Sequence, residues 1–401
     1  EVRSAVQRDI LTGDCRLMTR DNLRTPCYVI SESALRHNGE IIKGLRERTG
    51  CRVLLAQKCF SNYEVYDILS EYLDGTEASG LYEARLGHEK MPGRECHVFS
   101  AAYRSDEFDE ILEYADHIVF NSLSELERYG ERAKAAGKST GLRLNPECST
   151  QDGHEIYDPC APGSRLGTRL DEFASLSPEK FRKLCGMLDG VHFHTLCEQD
   201  SDALETTLDV VESRFGFLLG LPGIRWINFG GGHHITRDGY DIPRLERCIE
   251  RMRKRGLEVY LEPGEAVALN AGVLISTVLD IRPADRTGIP TAIIDASAAC
   301  HMPDVIEMPY RPPLDGASDE LPAKFRIGSQ TCLAGDVIGV YGFAEPLRVG
   351  DRLTFGDMAI YTMVKTNTFN GMPLPDIVIE RENGGCEVLR RFGYEDFFSR
   401  L

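Results

Sequence analysis

Between residues 32 and 264 the chain alternates short apolar runs with amphipathic stretches, and this alternation restricts the fold more than any other feature. Strand-like runs are expected at 52–56, 73–76, 96–100, 117–120, 141–144, 190–194, 226–229 and 258–261. Between them, Leu204, Leu208, Val211 and Phe215 recur at i, i+4, i+7 and i+11, one stripe of a helix, and Ile242, Leu245, Ile249 and Met252 repeat the pattern. Eight strands, each leading into or toward a helix, is the number a (β/α)8 barrel needs. A doubly wound open sheet is the other architecture that such alternation permits.

After Gly264 the texture changes. Runs at 273–279, 292–295, 325–328, 336–341 and 352–355 are separated by Pro, Gly and Asp, and helical stripes are nearly absent until the C-terminus. An all-β unit is expected there. The run Thr25-Pro26-Cys27-Tyr28-Val29-Ile30 predicts an added strand of the same unit, and Ser31 an N-cap for the first helix, with Ala34 and Leu35 in its first turn. The expected organisation is therefore α/β plus all-β. A TIM-like (β/α)8 barrel would occupy residues 32–264, and a β-sandwich or β-barrel-like domain would be built from 1–31 and 265–401. Residues 1–24 give no reading.

Composition narrows the partners. Subtracting 63 Asp and Glu from 46 Lys and Arg leaves a net charge of −17. That excess repels phosphate backbones and anionic lipid heads, which argues against nucleic-acid and membrane-surface roles, and it suits a cationic substrate. No apolar run approaches the ~20 residues that cross a bilayer. No apolar signal segment follows the opening Glu1-Val2-Arg3-Ser4. The 13 cysteines, odd in number and without C-x-x-C pairs, argue for reduced thiols in a cytoplasm and against a disulfide framework or a zinc ribbon.

Several reactive residues fall where barrel strands end, which is where the chemistry of such barrels sits. Lys58 directly follows Val53-Leu54-Leu55-Ala56-Gln57. Partly desolvated there, an amine is suited to Schiff-base chemistry, although a lysine snorkelling from the barrel mouth has the same sequence. Gly230-Gly231-Gly232 follows the seventh run, and three residues without Cβ let backbone N–H groups approach a phosphate; a simple turn is the plainer reading. Glu262, in Glu262-Pro263-Gly264-Glu265, ends the eighth run, where a carboxylate could pair with a pyridinium nitrogen. His192-Phe193-His194 puts two histidines on one strand face. With His233 and His234 that arrangement also suits a metal, but the chain offers a lysine near the first strand where a metal barrel would have an early His-x-His, so no metal is expected.

Taken in order, these residues resemble the fold-type III pyridoxal-phosphate enzymes of the alanine racemase and ornithine decarboxylase superfamily. The resemblance is strongest to the carboxynorspermidine/carboxyspermidine decarboxylase family. It is carried by Ser164-Arg165-Leu166-Gly167, His192-Phe193-His194-Thr195-Leu196-Cys197-Glu198, Asn228-Phe229-Gly230-Gly231-Gly232-His233-His234 and Glu262-Pro263-Gly264-Glu265-Ala266. In the β region the matching segments are Cys300-His301-Met302-Pro303-Asp304, Thr331-Cys332-Leu333-Ala334-Gly335-Asp336 and Thr368-Phe369-Asn370-Gly371. Together they span nearly all of the chain past about residue 24.

The resemblance implies a cofactor, pyridoxal 5'-phosphate, held covalently by Lys58. It implies that His194 stacks on the pyridine ring, that Glu262 pairs with the ring nitrogen, and that Gly231, Gly232 and the Tyr361 hydroxyl bind the phosphate, with Arg143 nearby. It implies a homodimer with shared active sites, in which Cys332 reaches into the partner's site to donate a proton; a thiol gives up its proton more readily than a hydroxyl. The ornithine and diaminopimelate branches carry arginine where this chain has Glu265. Glu265 and Asp304 are therefore expected to bind the ammonium groups of a small carboxylated polyamine, with Asp336 a further substrate carboxylate. The implied activity is decarboxylation of carboxynorspermidine or carboxyspermidine to norspermidine or spermidine. The two substrates differ by one methylene, worth about 1–3 kcal/mol of discrimination, and the motifs do not choose between them. The alternatives are decarboxylation of diaminopimelate or another basic amino acid, racemisation, a non-catalytic relative, and a metal-dependent hydrolase. Glu265 speaks against the first and the retained Lys58, His194, Glu262 and Cys332 against the third; a racemase would need a second base facing Lys58, and none is identified.

Overall fold

The computed structural model of the chain describes residues 18–151 and 158–401. The described chain opens with strand β1 (Cys27–Ser31), which Ser31 ends by capping the helix Glu32–Thr49: its Oγ accepts from the Ala34 N–H at 3.3 Å. Eight parallel strands follow: β2 (Arg52–Ala56), β3 (Gly75–Ala78), β4 (Glu95–Phe99), β5 (His117–Phe120), β6 (Ser139–Arg143), β7 (Gly190–His192), β8 (Trp226–Asn228) and β9 (Glu258–Leu261). Pairing of Arg52 with Tyr260 and of Val53 with Leu261 joins β9 back to β2. The sheet is thus a closed barrel, not an open doubly wound one.

The helical stripes lie where their periodicity placed them. Leu204, Leu208, Val211 and Phe215 are all buried in the helix Ser201–Leu219, as are Leu245, Ile249 and Met252 in Ile242–Arg253. The second barrel strand sits two residues later than the expected 73–76. Asp74 accepts from the Val53 N–H at 2.8 Å and pairs with Arg46, so it ends the preceding turn, and Leu73 packs outside the barrel.

The barrel's N-terminal end is plugged. Trp226 fills it beside Leu54, Val119 and Tyr260, and it fits because two neighbours lack a side chain. A Cβ on Gly190 would lie 2.0 Å from Trp226 Cδ2, and one on Gly141 2.3 Å from Cη2. The His97 and His117 rings stack beside this plug with centroids 3.8 Å apart. With that end filled, the open end is the one formed by the C-termini of the strands.

The second unit is a mixed eight-stranded sheet of β1, β10 (Gly272–Arg282), β11 (Thr291–Ile294), β12 (Ala323–Ser329), β13 (Val337–Phe343), β14 (Arg352–Phe355), β15 (Asp376–Glu380) and β16 (Cys386–Arg390). The strand order is β13-β12-β11-β10-β1-β15-β16, with β14 also paired on β10. β1 is antiparallel to β10 and parallel to β15. Neither β15 nor β16 was legible as a strand. Each is five residues long and carries charged residues; β15 is held by pairing with distant β1, and β16 by pairing with β15.

Candidate active site

A cavity of about 700 Å³ opens at the C-terminal ends of the barrel strands and is roofed by loops of the sheet unit. Lys58 enters it from the turn after β2, which closes with a Cys59 N–H to Ala56 carbonyl bond of 3.1 Å. The loop after β9 packs directly on that turn. A Cβ on Gly264 would lie 2.4 Å from Cys59 Cβ, so glycine at this position lets Glu262 and Lys58 share one cavity.

Glu262 is buried and carries two strong donors. Asn228 Nδ2 donates to Oε1 at 2.6 Å and His192 Nε2 to Oε2 at 3.0 Å. Burial alone would raise this carboxyl, but His192 and Asn228 outweigh it and hold Glu262 ionised, well below the usual range. Burial also lowers His192, which stays neutral and keeps its proton on Nε2, leaving a buried Nδ1 without a partner. Glu77, at the end of β3, goes the other way: burial and then the Glu262 charge push it up. Two adjacent carboxyl groups are thereby split into an anion and an acid. Glu77 was not singled out from sequence, and Asn228 entered only as the first residue of the glycine-loop segment, without a role; a polar residue ending the three-residue strand β8 was the available signal for it.

His194 lies just past the end of β7. Its Nδ1 accepts from the Gly231 N–H at 3.1 Å, and burial, then Lys58 and Arg143, keep the ring neutral. The glycine loop needs its glycines: Gly230 and Gly232 have φ of 70° and 81°, and a Cβ on Gly232 would lie 2.0 Å from the Leu196 carbonyl oxygen. Asn228 Oδ1 fixes the loop by accepting from the Gly230 N–H at 2.8 Å. The same asparagine thus orients both the carboxylate and the loop.

The opposite wall is acidic. Glu198, Glu265, Asp304 and Asp357 all border the cavity. Burial, then the charges of Glu198, Asp357 and Asp304, push Glu265 up to about 8. Glu198, Asp357 and Tyr361 hold φ values of 51°, 53° and 47°, a left-handed backbone that costs non-glycine residues about 1–3 kcal/mol each. Three of the six non-glycine residues with positive φ among the described residues thus border this one cavity. Glu198 and Asp357 were missed as wall residues because they come from loops that only the fold brings together.

The structure thus gathers Lys58, His194, Gly231, Gly232, Glu262, Glu265, Asp304 and Tyr361 around one cavity. Arg143 is buried just behind it, with Nη2 donating to the His194 carbonyl at 3.2 Å and its guanidinium 4.5 Å over the Phe99 ring. Cys332 is exposed and lies outside the cavity of its own chain; Asn370 Oδ1 accepts from its N–H at 2.9 Å and from its Sγ at 3.0 Å. Asp336 departs from expectation. It is buried, with its carboxylate taken by Ser297 Oγ at 2.6 Å, the Ala298 N–H at 2.8 Å and Thr331 Oγ1, so it braces the turn carrying Cys332 and does not face a ligand in this cavity. The histidines expected as a possible metal set do not converge. Among the described residues, the ligand atoms that cluster are those of Glu95, His97 and His117, at the plugged end of the barrel.

These features fit pyridoxal phosphate. Gly231 and Gly232 line the cavity without side chains, Glu262 presents a buried anion to a cationic ring nitrogen, His194 offers a neutral flat ring, and Lys58 supplies an amine in the same space.

Comparison with known proteins gives the same answer independently. Residues 27–359 match the family model described as pyridoxal-dependent decarboxylase, C-terminal sheet domain. The chain is 39% identical over 397 residues to the carboxynorspermidine/carboxyspermidine decarboxylase of Campylobacter jejuni, covering 96% of this chain and 100% of that one. It is 42% identical over 384 residues to the carboxyaminopropylagmatine decarboxylase of Synechocystis sp., covering 95% and 96%. The crystal structure of carboxynorspermidine decarboxylase from Campylobacter jejuni, complexed with norspermidine, superposes with a TM-score of 0.85 at 38% identity, covering 94% of this chain and all of that one. The chain belongs to the pyridoxal-phosphate-dependent decarboxylases, in the group that holds the carboxynorspermidine/carboxyspermidine enzymes.

Proposed function

We propose that this decarboxylase acts on a carboxylated polyamine of the carboxynorspermidine and carboxyspermidine type, releasing CO2 and norspermidine or spermidine. The observation that carries this reading is the acidic wall, four carboxylates facing the space that Lys58 enters. A substrate with one carboxylate and several ammonium groups meets Lys58 at one end and these carboxylates along its length. The names and bound ligand of the similar enzymes support the same class. The similarity to the Synechocystis enzyme favours a second reading, in which the far end of the substrate is the guanidinium of carboxyaminopropylagmatine.

Pyridoxal phosphate, when bound, supplies the sink for the electron pair left by the departing CO2. Lys58 would hold the cofactor, and Glu262, kept ionised by Asn228 and His192, would keep its ring nitrogen protonated. His194 would cover one ring face, braced by Arg143 through its carbonyl oxygen and by the Gly231 N–H on its Nδ1, and the Gly232 N–H with the Tyr361 hydroxyl would bind the phosphate. Glu265 and Asp304 bind the substrate's ammonium groups.

The working unit in this reading is a cytoplasmic homodimer in which residues 32–264 hold the cofactor and the sheet unit lends Cys332 to the partner's cavity, to protonate the decarboxylated carbon. The exposure of Cys332, Leu333 and Phe369 on one edge supports the dimer. The 12 free cysteines among the described residues support a reducing compartment. No helix among them is long and apolar enough to cross a membrane.

The test is a product-mass assay with pyridoxal phosphate. It offers carboxynorspermidine, carboxyspermidine, carboxyaminopropylagmatine and meso-diaminopimelate side by side. Turnover of the carboxylated triamines supports the proposal, preference for the agmatine derivative supports the second reading, and turnover of diaminopimelate alone refutes both. In parallel, Lys58→Ala is expected to lose turnover and the covalent cofactor link together. Retained multiple turnover would remove Lys58 from its role.

A further inference from the structure

The acidic wall carries one cation of its own. Lys365 Nζ donates to Asp304 Oδ1 and, at 3.1 Å, to Glu307 Oε2, and it lies 5.7 Å from the centre of the Tyr361 ring. Lys365, Asp304 and Tyr361 all border the cavity that Lys58 enters, whereas Glu307 lies outside it. The other wall carboxylates are differently placed. Among the described residues, Glu198 and Asp357 have no salt-bridge partner, and Glu265 meets only His234, at 3.8 Å. One of four carboxylates is thus already occupied by an ammonium, and that ammonium sits on a flexible four-carbon stem. It is chemically what the terminal primary amine of a polyamine would bring to the same spot.

Building on the function proposed above, we propose that Lys365 is a specificity-determining residue, an internal occupant of the Asp304 subsite that the substrate's terminal ammonium must displace. Displacement is easy because the lysine keeps a partner. Its Asp304 contact is the more enclosed, with that side chain 19% exposed, while Glu307 is 59% exposed and already within 3.1 Å. The amine can move from the first to the second without being left unpaired, and Asp304 passes to the incoming ammonium. A ligand with no terminal cation cannot make this exchange. For such a ligand Asp304 stays neutralised by Lys365 and contributes nothing. The pair therefore rewards a full-length polyamine and withholds a docking charge from shorter diamino acids.

A purely structural role is the competing account, since Lys365 also ties the helix Asp304–Glu307 to the segment carrying Tyr361. Calorimetric titration of norspermidine into the pyridoxal-phosphate-loaded enzyme separates the two. Lys365→Met removes the competitor, so its Kd is expected to fall about threefold to tenfold, the size of a modest ion pair released to the ligand. Lys365→Arg keeps a cation there and gains nothing. Adding Asp304→Asn to Lys365→Met abolishes the gain, and dipropylamine, which keeps the central ammonium of norspermidine and lacks both terminal ones, binds both forms alike. Equal or weaker norspermidine binding by Lys365→Met, or the same gain with dipropylamine, overturns the inference. Lys365→Gln gives the same reading if the methionine variant does not fold. Wild-type turnover of carboxylated triamines without any gain in the variant overturns the role of Lys365 alone, whereas a wild type that turns over no carboxylated triamine overturns the proposed function and this inference with it.

Discussion

Binding of a polyamine should expel a proton from Glu265, and the amount follows from its surroundings. Burial and the neighbouring Glu198, Asp357 and Asp304 raise this carboxyl from 4.5 to about 8, with Lys58 opposing weakly. At pH 7, one unit below that value, the protonated form outnumbers the ionised form ten to one, so the free site holds about 0.9 proton. A docked ammonium reverses the local field and returns the carboxyl toward its ordinary value, at which almost no proton remains at pH 7. Norspermidine binding at pH 7 should therefore release about 0.9 proton more from wild type than from Glu265→Gln. The assay is calorimetry in several buffers of different ionisation enthalpy, where the slope of observed enthalpy gives the proton count. Because binding releases a proton, affinity should rise with pH between roughly 5 and 8 and then level off. The difference between the two proteins should vanish above about pH 9, where Glu265 is already ionised. Equal slopes for wild type and Glu265→Gln at pH 7 would refute the reasoning. The same group weakens the ligand-free fold: between 4.5 and about 8 the unfolded chain is ionised while the folded one holds a proton, so stability declines as pH rises through that window.

Two further predictions concern the plugged end of the barrel. Gly190→Ala puts a methyl group 2.0 Å from Trp226 Cδ2, closer than side chains can approach, so it should cost on the order of 3 kcal/mol or more in thermal or denaturant unfolding. Adding Trp226→Leu should recover part of the loss, and an undisturbed single variant would show that the plug is not tightly packed. His97 and His117 are held neutral by burial, at about 3 and about 2, below the 6.5 of an unfolded histidine. Their contribution is present above pH 6.5 and lost as pH falls from there toward 3. His117→Phe should flatten the decline of the unfolding midpoint across that range, and an unchanged acid limb would exclude the pair as its source.

The barrel was legible because its helices repeat one stripe, as at Leu204, Leu208, Val211 and Phe215, and because short apolar runs such as Val53–Ala56 and Ile118–Phe120 recur between them. The order Lys58, His194, Gly231, Glu262 was legible for a related reason: strand ends of one barrel converge, so sequence order alone brings those residues together. What escaped notice depends on tertiary pairing. β15 and β16 are short and rich in charge; β15 is a strand because β1, some 350 residues earlier, gives it an edge, and β16 because β15 then gives it one. Glu198 ends the His192–Glu198 segment without a role of its own and Asp357 sits in a loop without a motif, so only the fold shows that both border the cavity. Asp336 was expected to meet substrate because an aspartate in a loop looks available, while its three donors from Ser297, Ala298 and Thr331 become visible only on folding.

The placement of β1 also sets the timetable on which this chain can be made. It leaves the ribosome before any barrel strand, yet its two neighbours are residues 272–275 of β10 and 376–380 of β15. Throughout translation of the barrel, an apolar strand therefore waits with both edges open. Even after β10 has emerged, one edge remains unpaired until β15 arrives. An unpaired apolar edge is a template for joining other chains. Nascent chains stalled before residue 376 should therefore be the aggregation-prone species of this protein, and the ones on which a chaperone has most to do.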